Sequence, residues 1–158
     1  MGYAAETMAR SAEQLLAWDA GQSLRHEFVR GAIFAMAGAE ERHVTATGNV
    51  YVALRAHLSG TPCRTFITDM KLRVEAADCY FYPDAMVTCS AADATDPLVK
   101  REPVLIDPGT RRCDLYRLGT DGLWVLHPFD PGQTVRLESV ALDLAAHALW
   151  DEVEPAPN

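Results

Sequence analysis

Two carboxylates in this chain could hold a divalent cation. Asp84 lies in "YFYPDAMVTC", between an aromatic cluster and an apolar run. An acid with so little polarity around it tends toward burial, and a buried carboxylate needs a partner or a metal. Pro83, just before it, bends or ends a strand, as at a sheet rim. Glu27 lies in "RHEFVRG", where strand alternation puts it with Arg25 and Val29 on one face and Leu24, His26 and Phe28 on the other. That face looks into a cleft or into water, where Arg25 or Arg30 could pair with the acid. Asp84 could equally be a turn or cap acid.

Asp69 and Lys71, in "TDMKLRV", share a strand face with Arg73. A cation row beside a carboxylate suits phosphate binding. It also suits a solvated edge strand whose charges block association. His43 heads a helical stretch and His26 adjoins Glu27, each able to serve as a hydrogen-bonded structural residue or as a ligand. No dinucleotide fingerprint, Walker A loop, nucleophile elbow or H-E-x-x-H motif occurs.

The elements that must position these groups follow from periodicity and turn signals. "SAEQLLAWDA" reads as a first helix with Ser11 as N-cap. "LRHEFVRG" and "AIFAMAG" read as a hairpin joined at Arg30-Gly31. "ERHVTATGNVYVALRAHLSG" is a long helix, with Val44, Thr47, Val50, Tyr51, Leu54 and Leu58 at helical spacing and a stop at Gly60. The strands "CRTFIT", "MKLRV" and "CYFYPDAMVTC" follow, then a polar loop, "SAADATDPLVKREP". "VLI", "RCDLYRL", "LWVLHPF" and "TVRLESV", separated by the turns "DPGT", "GTDG" and "DPGQ", read as a β-meander. "LAAHALW" is a short closing helix. The expected class is α/β or α+β on one mixed sheet. A single domain spans 1–158: 8–106 carries the acids, 107–153 the meander and short helix, and 154–158 a frayed tail.

The chain has 158 residues, 49% hydrophobic and 23% charged, as for one soluble globular domain. A net charge of −8 argues against a broad non-specific nucleic-acid surface. No apolar run approaches the roughly 20 residues that cross a bilayer. The start has no signal-peptide pattern, so a cytoplasmic location is expected. Cys63, Cys79, Cys89 and Cys113 contain no C-x-x-C pair. Neither a zinc site nor disulfides are expected, and the cysteines read as small buried hydrophobes.

Three stretches, "RHEFVRGAIFAMAGAEERHVTATGNVYVALRAHLSGTPCRTF", "DMKLRVEAADCYFYPDAMVTC" and "KREPVLI", resemble the Uma-type restriction-endonuclease family. The resemblance covers most of the chain. It implies the restriction-endonuclease-like, PD-(D/E)xK fold: a mixed sheet flanked by helices, bearing acids that bind Mg²⁺ (or Mn²⁺). It implies phosphodiester hydrolysis of DNA, the metal activating a water. By carry-over, Glu27 matches the family's early glutamate and Asp84 the aspartate of its Pro-Asp pair, both catalytic and metal-binding. His43 and Asn49 match supporting residues of the long helix. Asp69 and Lys71 are weaker candidates for the phosphate edge.

One family segment has no counterpart. In the family, the strand after P-x-L-I continues V-E-V-L-S-P-S-T, supplying the second acid, and a helix with a basic residue follows. Here "EPVLI" runs straight into "DPGTRRC". The resemblance thus implies an internal deletion of the second acid, the lysine and a helix, or else a shortened working variant using Asp107 or Glu102. The missing acid would stand two residues past Ile106, at Pro108. Asp107 falls one residue short and points to the opposite face. Glu102, Lys100 and Arg101 would reach in from a loop. Loss of the covering helix would bare an apolar face, so a homo-oligomer, a dimer in the simplest case, or marginal stability is expected. Two function classes follow: an impaired endonuclease, or a catalytically inactive oligomerising or binding remnant.

Overall fold

The computed structural model describes residues 4–5, 12–36, 38–74, 78–89, 91 and 101–154, with the side chains of Ala4, Ala5, Ala12, Glu13, Arg101 and Glu102 left out. Ser11, Lys100, most of the polar loop and the end of the tail lie outside them. The chain divides into two compact units, Met1–Gly38 with Lys71–Tyr82, and Ala39–Met70 with Pro83–Asn158. The class is α+β. In place of one mixed sheet, the described strands form two five-stranded sheets and a two-stranded ribbon, with every pairing antiparallel.

The first unit holds β1 (Ala4–Ala5), α1 (Ala12–Asp19), β2 (His26–Val29), β3 (Ala32–Ala35), and the later strands β5 (Leu72–Val74) and β6 (Cys79–Phe81). Its strand order is β1-β3-β2-β6-β5. The β2–β3 hairpin turns where the sequence marks it. Arg30 at φ 48° and Gly31 at φ 92° both occupy left-handed backbone, as the two-residue turn that matches strand twist demands. His26 and Phe28 are buried while Glu27 and Val29 are half-buried, following the expected two-residue alternation. Phe28 and Tyr80 pack with ring centroids 6.3 Å apart.

The second unit contains α2 (Glu41–His57), β4 (Arg64–Ile67), β7 (Ala85–Thr88), β8 (Arg101–Asp107), β9 (Arg112–Leu118), β10 (Trp124–Phe129), β11 (Val135–Leu137), β12 (Leu142–Leu144) and α3 (Ala146–Leu149). Its sheet runs β10-β9-β8-β7-β4. Ala46, Val50, Leu54 and Leu58 of the α2 segment join Ala85, Val87, Val104, Ile106, Cys113 and Leu115 in one core. Full burial of a Val or Leu there contributes about 1.5–3 kcal/mol each. Val44, expected on that apolar stripe, is instead exposed.

Four further expectations change. The "CYFYPDAMVTC" stretch breaks at Pro83-Asp84 into β6 and β7, which join different sheets. Strand β8 begins at Arg101, inside the expected loop. The meander stops at β10, because β11 pairs with β12 instead. Finally, Cys63 and Cys89 form a disulfide, where four thiols were expected. The β4–β7 register explains it. Arg64 opposes Thr88, so the next residues outward, Cys63 and Cys89, are brought face to face with Cα atoms 4.0 Å apart. Cys79 and Cys113 are buried, free thiols.

Candidate active site

Asp84 sits at the start of β7 in the second unit, where the Pro83 break releases its side chain from strand alternation. Its backbone is pinned on both sides. The Asp84 N–H donates to Val104 O at 3.0 Å, and its carbonyl accepts from the Thr68 N–H at 3.2 Å. One carboxylate oxygen lies 2.6 Å from His43 Nε2, and the other accepts the Ile106 N–H at 2.6 Å. The Ala85↔Val104 pairing slips to Val87↔Arg101, a bulge beside Asp84. Bulges re-aim side chains in this way.

His43 stands in the first turn of α2. Its hydrogen bond to Asp84 raises the imidazole above its usual range against the opposing effect of burial, and the Asp107 charge acts in the same direction. Asn49, on the same helix, donates to the carbonyls of Leu149 (3.0 Å) and Asp151 (2.8 Å). It therefore ties α2 to the C-terminal segment.

Strand β8 ends at Asp107 and runs straight into a turn. Pro108 in that turn is buried. Asp107 is exposed and folds back on its own turn, accepting from the Gly109 N–H at 2.8 Å, the Thr110 N–H at 3.3 Å and Thr110 Oγ1 at 2.7 Å. The Thr110 hydroxyl is the main reason its carboxyl falls below the usual range. Beyond the turn, Leu105, Ile106, Asp107, Arg112 and Asp114 line a shallow cleft of about 360 Å³. There Arg112 and Asp114 pair at 2.9 Å.

In the first unit, Glu27 accepts the Tyr82 N–H at 3.4 Å. On the other face of β2 is a buried network that sequence reasoning missed. Asp19 closes α1, bonding His26 Nδ1 at 3.0 Å through one oxygen. Through the other it accepts from Lys71 Nζ at 2.7 Å and Tyr82 Oη at 2.9 Å. Burial raises the Asp19 carboxyl, but the bonds from Lys71, His26 and Tyr82 outweigh it and hold the carboxyl below its ordinary 3.8. Lys71 is correspondingly held above 10.5 although burial acts to lower it. Its ammonium also lies 5.1 Å from the Tyr82 ring centroid. Asp69 and Lys71 share no strand face, because the chain turns at Thr68 (φ 58°) and β5 begins only at Leu72. Asp69 belongs to the second unit and Lys71 to the first. The one available signal for Asp19 was its place in an otherwise apolar helix end, "LLAWDA".

The donor set can be tested against a divalent cation. Mg²⁺ takes near-octahedral oxygen ligands and keeps several waters. Asp84 presents its two oxygens to an imidazole and a backbone N–H, both positive ends of dipoles. Among the described residues no group of three His, Cys, Asp or Glu side chains could hold a metal ion.

Comparisons with known proteins bear on the ancestry of this arrangement. The Uma2 family, "Putative restriction endonuclease", matches residues 12–105, more than half of the chain. Uncharacterized protein slr1290 of Synechocystis sp. (strain ATCC 27184 / PCC 6803 / Kazusa) is 22% identical over 173 residues, covering 89% of this chain and 90% of that protein. That alignment is longer than the 158 residues here, so the relative carries positions with no counterpart in this chain. Uncharacterized protein sll1609 of the same organism is 30% identical over 92 residues, 58% of this chain and 52% of its own. A crystal structure of "a putative nuclease belonging to DUF820 from Anabaena variabilis ATCC 29413" superposes with a TM-score of 0.61 at 16% identity, over 84% of this chain and 93% of that one. At that identity the likeness is one of fold. With the matched segment spanning α1 to the middle of β8, this chain belongs to the Uma2 family of restriction-endonuclease-like proteins.

Proposed function

We propose that this chain derives from a metal-dependent DNA endonuclease and that its own phosphodiester hydrolysis is impaired. The observation that carries the reading is the Asp84 carboxylate, whose two oxygens meet His43 Nε2 and the Ile106 N–H. Two further features support it. The family match ends at residue 105, inside β8, and the following residues form a turn in which Asp107 bonds Gly109 and Thr110. Losing one ligand of a small-cation site typically costs most of its affinity. The carry-over still names Asp84 and Glu27 as metal acids, Mg²⁺ or Mn²⁺ as the ion and DNA as the substrate. Those assignments define the experiment.

The purified chain is incubated with supercoiled plasmid and with single-stranded DNA, with Mg²⁺, Mn²⁺ or chelator. Neither ion is expected to support cutting or to raise the melting temperature above that in chelator. Cutting that Asp84→Ala or Glu27→Ala abolishes would overturn the reading in favour of a shortened but working nuclease.

A further inference from the structure

We infer that the open edge of β10, with the apolar face beside it, pairs with the same edge of a second copy of this chain. The inference does not depend on whether the chain cuts DNA.

The edge can be read from the ladder. In the described structure β10 pairs with β9 on one side and is the outermost strand on the other. The Gly119 N–H donates to Leu123 O and closes the hairpin. Bonded and non-bonded pairs alternate from there. Val125 and His127 thus bond to β9, while Trp124, Leu126 and Pro128 aim their backbone groups at the open edge. Pro128 fits this parity, since its missing N–H costs the β9 ladder nothing.

Edge strands usually carry charge or Lys to prevent association. β10 and the residue before it read "LWVLHPF", with no Asp, Glu, Lys or Arg. Among the described residues, five of the eight exposed large hydrophobics fall on β8, β9, β10 and the turn before β10, namely Leu105, Leu118, Leu123, Val125 and Leu126. The pairing Leu118↔Trp124 and Tyr116↔Leu126 places Leu118, Tyr116, Trp124 and Leu126 together on one face, beside Leu105.

The choice of a second copy as occupant rests on symmetry and charge. A two-fold axis at Val125 sets Trp124 of one copy opposite Leu126 of the other, an isologous pairing in which both outward N–H groups find carbonyls. The chain carries a net charge of −8, so most self-contacts bring like charges together. An uncharged strand avoids that.

Sedimentation of the full chain across a concentration series, from micromolar to millimolar, tests the pairing. A reversible dimer is expected. Val125→Lys, which sets two cations across the axis, should weaken dimerisation roughly tenfold or more, with far-UV circular dichroism unchanged. Val125→Cys should give a covalent dimer on mild oxidation, even where association is weak. A wild-type chain monomeric throughout, with no crosslink from Val125→Cys, overturns the inference. So does a dimer that Val125→Lys leaves intact.

Discussion

At Asp84, two accounts of the same carboxylate make opposite predictions about stability. If the acid were a cage ligand awaiting a cation, its removal would relieve charge and leave the metal-free protein unharmed or firmer. The geometry here has both of its oxygens hydrogen-bonded, one to His43 and the other to the Ile106 N–H. Asp84→Ala should therefore destabilise the metal-free chain by about 1–3 kcal/mol, since a part-buried N–H loses its acceptor, and urea unfolding in chelator measures this. Asp19 is the second acid with a structural task. Asp19→Ala strands the nearly buried Lys71 ammonium, and breaking such a pair costs about 3–5 kcal/mol. Its pH dependence has a definite sign. Because the folded carboxyl lies below 3.8, the stabilisation is fully present above 3.8 and disappears as pH falls through the lower folded value. The gap in urea midpoint between wild type and Asp19→Ala should thus hold steady from pH 7 down to about 5 and close in stronger acid. Burial pushes the Cys113 thiol up to about 12, so that thiol should resist alkylation in the folded protein.

Among the elements, β4 and β7 carry the most testable feature. The Cys63–Cys89 bridge staples the outer ends of both strands, while the Thr68 N–H meets the Asp84 carbonyl at the inner end. A crosslink spanning 26 residues restricts the unfolded chain, a stabilisation of about 3.5 kcal/mol in the chain-entropy account. Unfolding midpoints with and without reductant should differ accordingly. The Cys63→Ser, Cys89→Ser double variant should match the reduced wild type. If reduction leaves the midpoint unmoved, the bridge contributes nothing to the folded state.

For the molecule as a whole, net charge and the apolar edge act against each other. A chain at −8 repels its copies at long range, and salt screens that repulsion over about 10 Å at 0.1 M. Association through uncharged β10 should then strengthen from low to moderate NaCl, where an interface built on ion pairs would weaken; sedimentation at several salt concentrations distinguishes the two. No described helix is long and apolar enough to cross a membrane.

The sequence alone determined what depends on near neighbours. The Arg30-Gly31 turn, the extent of α2 as far as its stop before Gly60, and β9 over residues 112–118 were all legible, because turn chemistry and helical or strand periodicity act over a few residues. Family resemblance reached further, to the family itself and to its nuclease-like fold. Only the tertiary structure decided the partners of Asp19, which come from 7, 52 and 63 residues away. It alone set the bond from His43 to Asp84 across 41 residues, the joining of Cys63 to Cys89, and the turn of β11 toward β12. Such contacts depend on strand register and on which chain segments share a core, and neither is written in the spacing of any single stretch.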